Sequence, residues 1–236
     1  MTIIAGFQCI DGIVLCADTQ EGVGEHLKKD QPKIQHCHSW GQEKSPNAIF
    51  AGSGDGDFID YLVDKLWAAM RVKSGIDEMV QASERELIEQ YGKLVPLYPS
   101  GIPDAQFLVA LWAPSQEPPD PNIPLPPGEN LELLKITGPI ITRRITLESI
   151  GFGWVIATYI ANRLLWPKTR SSDAVPIAIY MIDEAKQHVK ECGGDTHVVT
   201  LDERGEVVSY SIRRRKSKRG QSISGRWIFL LGRLLG

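Results

Sequence analysis

The sequence predicts a layered α+β fold for this chain of 236 residues. Segments with strand and helix character follow one another in blocks: strands, two helices, strands, two helices and strands again. Helices that are segregated from mainly antiparallel strands are typical of a layered α+β architecture. Hydrophobic residues make up 42% of the chain and charged residues 23%, which is the composition of a globular protein with a sizeable core.

The first half of the chain predicts a β-hairpin, two more strands and two amphipathic helices. The predicted strands are 3–9, 13–18, Lys33–His38 and Ala48–Ala51. A polar loop, Ser39–Asn47, separates the last two strands. The first helix begins at Asp57, with Asp55 or Asp57 as its cap, and the second follows Ile76. Apolar residues at helical spacing predict one buried face on each helix. They are Phe58, Ile59, Leu62, Val63, Leu66, Trp67 and Met70, then Met79, Val80, Leu87, Ile88, Tyr91 and Leu94.

The second half predicts six strands and two helices. The strands are Ala105–Ala113, Glu132–Thr137, Ile140–Ile145, Leu147–Gly151, Thr196–Asp202 and Val207–Ser211, and the helices are Ile156–Leu165 and Asp173–Cys192. Residues 114–128 contain seven prolines, which predicts an extended loop without regular structure.

Charge divides the chain into a main domain, 2–212, and a tail, 213–236. The tail has eight basic and no acidic residues, whereas the rest has 18 basic and 29 acidic residues, a net charge of −11. An acidic main domain argues against nucleic-acid binding. Basic residues beside the apolar segment Trp227–Leu235 predict contact with an anionic membrane surface or docking on a neighbouring subunit. A disordered extension is the third alternative.

Cysteine usage favours a reducing compartment, and we expect a cytoplasmic protein. The four cysteines form no CxxC pair, and the apolar N-terminal stretch lacks a basic leader. His36 and His38 share one face of a strand, but no third and fourth ligands match them. We therefore expect neither a metal nor a cofactor.

Thr2 is a candidate nucleophile because it directly follows the initiator Met. Aminopeptidases usually remove Met1 before a residue as small as Thr, and the mature chain would then begin with a hydroxyl and a free α-amine on one residue. An α-amine has a pKa of about 8, so it can be neutral and act as the base for the hydroxyl.

Several motifs follow Thr2 in a specific order. The second strand ends in Ala17-Asp18, 16 residues after Thr2, and a lysine follows at Lys33. Ala51-Gly52 ends a strand before a long helix, and Gly151-Phe152-Gly153 and Cys192-Gly193-Gly194 come later. This order resembles the β-type subunits of proteasomes and their bacterial relatives, which are N-terminal-nucleophile hydrolases. The resemblance covers roughly residues 2–211.

The resemblance implies a four-layer αββα sandwich and a threonine-type endopeptidase. By motif matching, the catalytic residues would be Thr2, Asp18, Lys33 and Gly52. Lys33, one residue early in spacing, would lower the pKa of the amine, and Asp18 would orient Lys33. The backbone N–H of Gly52 would hold the oxyanion. The family also implies a polypeptide substrate, a homo-oligomeric ring and an ATP-dependent unfoldase as partner.

Three positions depart from the family pattern. Phe152, Val189 and Cys192 stand where the family has polar side chains that help to organise the terminal amine. Two alternatives therefore stay open. The chain could be a catalytically inactive subunit that builds a ring, or an N-terminal-nucleophile amidase acting on a small metabolite.

Overall fold

A computed structural model describes residues 2–23, 27–38, 45–98, 101–114, 130–143, 145–166 and 168–213. Its strands are β1 (Ile3–Cys9), β2 (Gly12–Asp18), β3 (Gln20–Val23), β4 (Leu27–Asp30), β5 (Ile34–His38), β6 (Asn47–Gly54), β7 (Ala105–Trp112), β8 (Leu131–Thr137), β9 (Ile140–Thr142), β10 (Leu147–Gly151), β11 (Thr196–Asp202) and β12 (Val207–Ile212). Its helices are α1 (Gly56–Met70), α2 (Ile76–Leu94), α3 (Trp154–Leu164) and α4 (Ser171–His188). A short 3-10 helix, Val95–Leu97, follows α2.

Two five-stranded antiparallel sheets form the middle of the fold. One sheet has the strand order β10-β1-β2-β11-β12 and the other β5-β6-β7-β8-β9, while β3 and β4 form a separate hairpin. β1 lies between β2 and β10, with Ile4 opposite Ala17 and Ile3 opposite Gly151. The N-terminal end of the chain is therefore held in the interior of a sheet.

Three apolar clusters define four layers. The first cluster packs α1 and α2 against the second sheet, and the second packs α3 and α4 against the first sheet. The third joins the facing sides of the two sheets. Successive residues of a strand point to opposite faces, so Phe50 packs under α1 and α2 while Ile49 packs between the sheets. The order is helices, sheet, sheet, helices, which confirms the predicted αββα sandwich.

Helix α1 begins at Gly56, one residue before the predicted start, and Asp55, one of the two predicted caps, is its N-cap. The Asp55 carboxylate accepts a hydrogen bond from the N–H of Phe58 at 2.9 Å. An N-cap side chain of this kind satisfies one of the free N–H groups in the first helical turn. Since α1 starts directly after β6, the cap fixes the path of the chain between Gly52 and the helix.

Some predicted boundaries differ from the structure. Helix α4 ends at His188, four residues before the predicted end, and the chain then turns back towards the end of β2. β9 ends at Thr142, three residues before the predicted end at Ile145. Ile88 was predicted in the buried face of α2 but is 65% exposed.

Parts of the sequence prediction lie outside the described residues. These parts are the tail after Arg213, residues 115–129 of the proline-rich loop and residues 39–44 of the polar loop. None of the helices in the described part of the chain is both long and apolar enough to cross a membrane.

Candidate active site

Thr2 immediately precedes β1 and is almost completely buried, with 3% of its surface exposed. Its backbone packs directly on Gly151 at the end of β10, where a Cβ atom would lie 2.3 Å from the Thr2 carbonyl oxygen. Gly151 also has a φ of +81°, which favours glycine. The Gly151-Phe152-Gly153 motif therefore forms one wall around Thr2.

Asp18, the last residue of β2, connects the groups around Thr2. Its carboxylate is fully buried. Oδ1 accepts hydrogen bonds from Thr2 Oγ1 at 2.8 Å and from the N–H of Ile3 at 3.1 Å. Oδ2 accepts from the N–H of Gly193 at 2.9 Å. A buried carboxylate needs such partners, because an unpaired charge in the interior is costly.

Lys33 supplies the positive charge of the site. Its Nζ lies 2.7 Å from Asp18 Oδ1 and 2.5 Å from the carbonyl oxygen of Gln20. Only 10% of the Lys33 side chain is exposed. Burial lowers the pKa of the Lys33 ammonium, and the neighbouring Asp18 carboxylate opposes that effect. Thr2 and Lys33 thus share one oxygen of the same carboxylate.

Gly52 lines the same cleft but uses its N–H elsewhere. This N–H donates to the carbonyl oxygen of Lys33 at 3.1 Å, which extends the pairing of β5 with β6. The donor expected to hold an oxyanion is therefore engaged in the sheet. A side chain at Gly52 would also meet Ile59, because a Cβ atom there would lie 2.7 Å from Ile59 Cγ2.

The three residues that depart from the family pattern lie in different surroundings. Phe152 does not fill the site, since 62% of its surface is exposed. Val189 caps the C-terminal end of α4. Cys192 is buried, and burial raises the pKa of its thiol to about 12. The Cys192 thiol is consequently protonated at neutral pH, and a thiol is only a weak hydrogen-bond donor.

The loop after α4 contributes a group that sequence reasoning missed. The prediction considered the side chains before the Gly193-Gly194 pair, whereas the backbone N–H of Gly193 binds Asp18. Gly194 has a φ of +72°, and a Cβ atom there would lie 2.3 Å from Asp30 Oδ1. The Gly193-Gly194 pair was the sequence signal that the backbone here packs closely against the strand ends that carry Asp18 and Asp30.

An open cleft with a cavity volume of about 60 Å³ lies beside these residues. It is lined by Thr2, Glu21, Gln31, Pro32, Lys33, Gln35, Gly52, Ser53, Gly54, Gly56, Ile59 and Asp60. The lining therefore combines a hydroxyl, a buried ammonium, two carboxylates and glycine backbone. No cluster of side chains with metal-ligating chemistry occurs among the described residues.

Comparison with solved structures identifies a shared fold. Anbu from Hyphomicrobium sp. strain MC1, in a Gly-1 mutant, superposes with a TM-score of 0.74 at 12% identity, covering 100% of this chain and 96% of that chain. Anbu from Yersinia bercovieri, described as an ancestral β-subunit, gives a TM-score of 0.73 at 12% identity and covers 99% and 94%. Anbu from Pseudomonas aeruginosa, described as a helical assembly, gives 0.70 at 14% identity and covers 99% and 95%.

The sequence itself gives no such match. No protein-family model matches the chain, and no curated protein matches it. Identities of 12–14% establish the fold alone. The chain thus has the proteasome-like fold of N-terminal-nucleophile proteins. The Anbu structures are among the solved structures that it resembles.

Proposed function

We propose that the chain is a threonine-type endopeptidase in which Thr2 becomes the N-terminal residue. The observation that carries this proposal is the shared carboxylate oxygen: Asp18 Oδ1 accepts from Thr2 Oγ1 at 2.8 Å and from Lys33 Nζ at 2.7 Å. A hydroxyl, a buried cation and an orienting carboxylate in contact are the groups that an N-terminal nucleophile needs.

In the proposed reaction, the α-amine of Thr2 removes the proton from its own hydroxyl. The hydroxyl oxygen attacks the peptide carbonyl carbon, and the tetrahedral intermediate collapses to an ester on Thr2 as the proton passes to the leaving amine. Water then hydrolyses the ester, and the hydroxyl regains its proton. Lys33 favours the neutral amine by like-charge repulsion, and Asp18 orients Lys33.

Gly52 stays our proposed oxyanion donor, with one condition from its geometry. Its N–H donates to the Lys33 carbonyl oxygen. To stabilise the intermediate, this hydrogen bond must break so that the N–H can donate to the oxyanion instead. Removing one oxyanion donor costs about 100- to 1,000-fold in kcat in well-studied hydrolases. A tight Gly52–Lys33 bond would therefore make the enzyme slow.

A ring-building role is the second candidate function, and an exposed apolar surface favours it. Five large hydrophobic residues in and around α3 are each more than half exposed: Phe152, Trp154, Val155, Tyr159 and Trp166. Contiguous exposed apolar surface of this kind marks interaction sites. Because one structural neighbour is described as a helical assembly, we propose that this α3 surface contacts a second copy of the chain.

We also propose partners for the substrate supply and for the tail. We infer cytoplasmic polypeptide substrates that an ATP-dependent unfoldase delivers to an enclosed site. The tail, 213–236, would contact a membrane surface or a neighbouring subunit, and nearly all of it lies outside the described residues. Liposome flotation and sedimentation of the full chain and of a chain ending at Ile212 separate these two uses of the tail.

Hydrolysis of peptides by matched Thr2 variants tests the proposed function. We expect the full-length chain and Thr2→Ser to cleave an unfolded protein substrate, and Thr2→Ala to be inactive while keeping the same oligomer size. A fully assembled wild-type chain without any turnover would favour the ring-building candidate. Turnover of small amides but not of peptides would favour the metabolite amidase instead.

A further inference from the structure

Two carboxylates line the cleft beside Thr2. Glu21 lies in β3, and Asp60 lies in the second turn of α1. Gln31 and Gln35 add polar side chains to the same lining. The side chain of a bound substrate would therefore enter an acidic and polar environment next to the candidate nucleophile.

Asp60 carries the negative charge that is least compensated. Its Oδ1 accepts a hydrogen bond from Gln35 Nε2 at 2.5 Å, and the residue is exposed. Within the part of the chain that the structure describes, no Lys, Arg or His forms an ion pair with Asp60. The amide of Gln35 orients the carboxylate but adds no positive charge to the cleft.

Glu21 adds a second carboxylate to the lining of the cleft. Its Oε2 pairs with Lys29 Nζ at 3.1 Å, with side chains that are 29% and 51% exposed. Its Oε1 points towards the beginning of α1, where it would lie 3.1 Å from a Cβ atom placed on Gly56. Solvent screens such a pair strongly, so Lys29 neutralises Glu21 only in part.

Lys33, the cation among the described residues that line the cleft, offsets these carboxylates only in part. Its Nζ binds Asp18 and the carbonyl of Gln20, and its side chain is 10% exposed. Since the Lys33 ammonium interacts most strongly with Asp18 and only weakly with Glu21, Asp60 keeps the negative charge that a substrate meets.

We propose that this cleft selects a substrate side chain that carries a cation, lysine or arginine, next to the bond to be cleaved, and that Asp60 is the specificity-determining residue. This inference rests on the proposed peptidase function. A cationic side chain would pair with Asp60, whereas an apolar one would desolvate the carboxylates without replacing their water. An acidic side chain would be repelled.

Binding of two matched peptides tests the proposal without requiring catalysis. The peptides carry the same fluorophore and differ only in arginine or citrulline, its uncharged isostere, at the position before the scissile bond. With the full-length Thr2→Ala chain, we expect the arginine peptide to bind about tenfold more tightly, as for a charged hydrogen bond. In Thr2→Ala/Asp60→Asn, the difference should fall to about twofold or less.

Asp57 provides the matched control. It is an exposed carboxylate in the first turn of α1 and is not one of the cleft-lining residues. Thr2→Ala/Asp57→Asn should keep the arginine preference. Equal binding of both peptides to the Thr2→Ala chain would overturn the proposal, and so would an equal loss of preference in the Asp57 and Asp60 variants.

Hydrolysis of the same peptides by the wild-type chain separates the two claims. Selective binding of arginine with no cleavage would contradict the peptidase function but leave the selectivity in place. Cleavage of both peptides at equal kcat/KM would support the peptidase and overturn the selectivity. Cleavage with an arginine preference that Asp60→Asn removes would support both.

Discussion

The Asp18 carboxylate determines the geometry of the candidate active site. It accepts from Thr2 Oγ1, from the N–H groups of Ile3 and Gly193, and from Lys33 Nζ, and it is completely buried. These groups come from three separate parts of the chain: the start of β1, the segment before β5 and the loop after α4. The carboxylate therefore joins all three to the end of β2. Its loss should affect stability as well as chemistry.

Removing Lys33 should destabilise the fold strongly. In Lys33→Met the buried Asp18 carboxylate and the Gln20 carbonyl oxygen lose a donor that lysine keeps in both protonation states, and we expect the free energy of unfolding to fall by about 3–5 kcal/mol. Lys29→Met removes a lysine from an exposed pair with Glu21, and should cost no more than about 1 kcal/mol. Urea denaturation of both variants measures the difference. Similar small effects would show that the Asp18–Lys33 pair is not an important constraint.

The lowered pKa of Lys33 predicts a pH dependence of stability. The unfolded chain binds the Lys33 proton up to about pH 10.4, whereas the folded chain releases it at a lower pH. Between these two values the unfolded state holds more protons, so the free energy of unfolding rises with pH. The rise should be present in the wild type and absent in Lys33→Met, as measured by urea denaturation at several pH values. A parallel pH profile for both chains would contradict this assignment.

The resemblance to proteasome subunits predicted the meeting of Thr2, Asp18 and Lys33, but not the atoms that hold them. Hairpin pairing of β1 with β2 brings residues at this separation to the same sheet end, which a sequence pattern can indicate. The N–H of Gly193 and the engagement of Gly52 by Lys33 are backbone contacts. Such contacts depend on register and loop path, which residue types do not reveal.

At the scale of elements, two glycines in different settings should respond oppositely to alanine. Gly92 lies in the last turn of α2 with no atom within 4 Å of its would-be Cβ. Gly92→Ala should raise the free energy of unfolding by about 0.5–1 kcal/mol, because alanine favours the helix and restricts the unfolded chain.

Gly151→Ala is the matched comparison. Its Cβ atom would lie 2.3 Å from the Thr2 carbonyl oxygen at a φ of +81°. We expect a loss of stability of at least about 1 kcal/mol, and lower activity as β10 moves away from Thr2. Thermal unfolding of both variants measures the two effects. A neutral Gly151→Ala variant would mean that this wall around Thr2 adapts freely.

Elements with regular apolar patterns were predictable, and the β3–β4 hairpin was not. Its strands, Gln20–Val23 and Leu27–Asp30, contain five charged or amide side chains among eight residues. Polar edge strands lack the alternation that identifies a half-buried strand. The early end of α4 was missed for a related reason: the chain leaves the helix to place Gly193 against Asp18.

For the whole molecule, the buried Cys16 and Cys192 and the partly buried Cys9 and Cys37 predict slow thiol chemistry in the folded state. Burial raises the pKa of Cys9, Cys16 and Cys192 to about 12 and that of Cys37 to about 11. Since a pKa of 12 leaves roughly one thiol in ten thousand ionised at about pH 8, alkylation should be slow. Mass spectrometry after iodoacetamide should show little modification of the native chain and four modified cysteines after denaturation. Rapid modification of Cys16 in the native chain would contradict the burial of β2.

The α3 surface should govern assembly. Val155 is 58% exposed in the first turn of α3, and Val72, after the end of α1, is 72% exposed. Val155→Glu should reduce the oligomer size because it places a charge in an apolar contact, whereas Val72→Glu should leave it unchanged. Sedimentation measures both variants. A wild-type chain that is monomeric at micromolar concentration would rule out assembly through α3.

The apolar pattern alone predicted only layers of helices and sheets, and the αββα order came from the resemblance to proteasome subunits. The exposed face of α3 was not predicted. Exposed Trp154 and Tyr159 have the same residue character as core positions. Only the packing of α3 against β1 and β10 shows which of its faces stays uncovered.

The central claim is that Thr2 acts as an N-terminal nucleophile. The most direct measurement is intact-mass spectrometry of the purified chain before and after treatment with a peptide epoxyketone, which reacts with the hydroxyl and α-amine of a terminal threonine. We expect a chain that lacks Met1 and gains one inhibitor, with the adduct at Thr2 and none in Thr2→Ala. A chain that retains Met1, or a processed chain that gains no inhibitor, would contradict it.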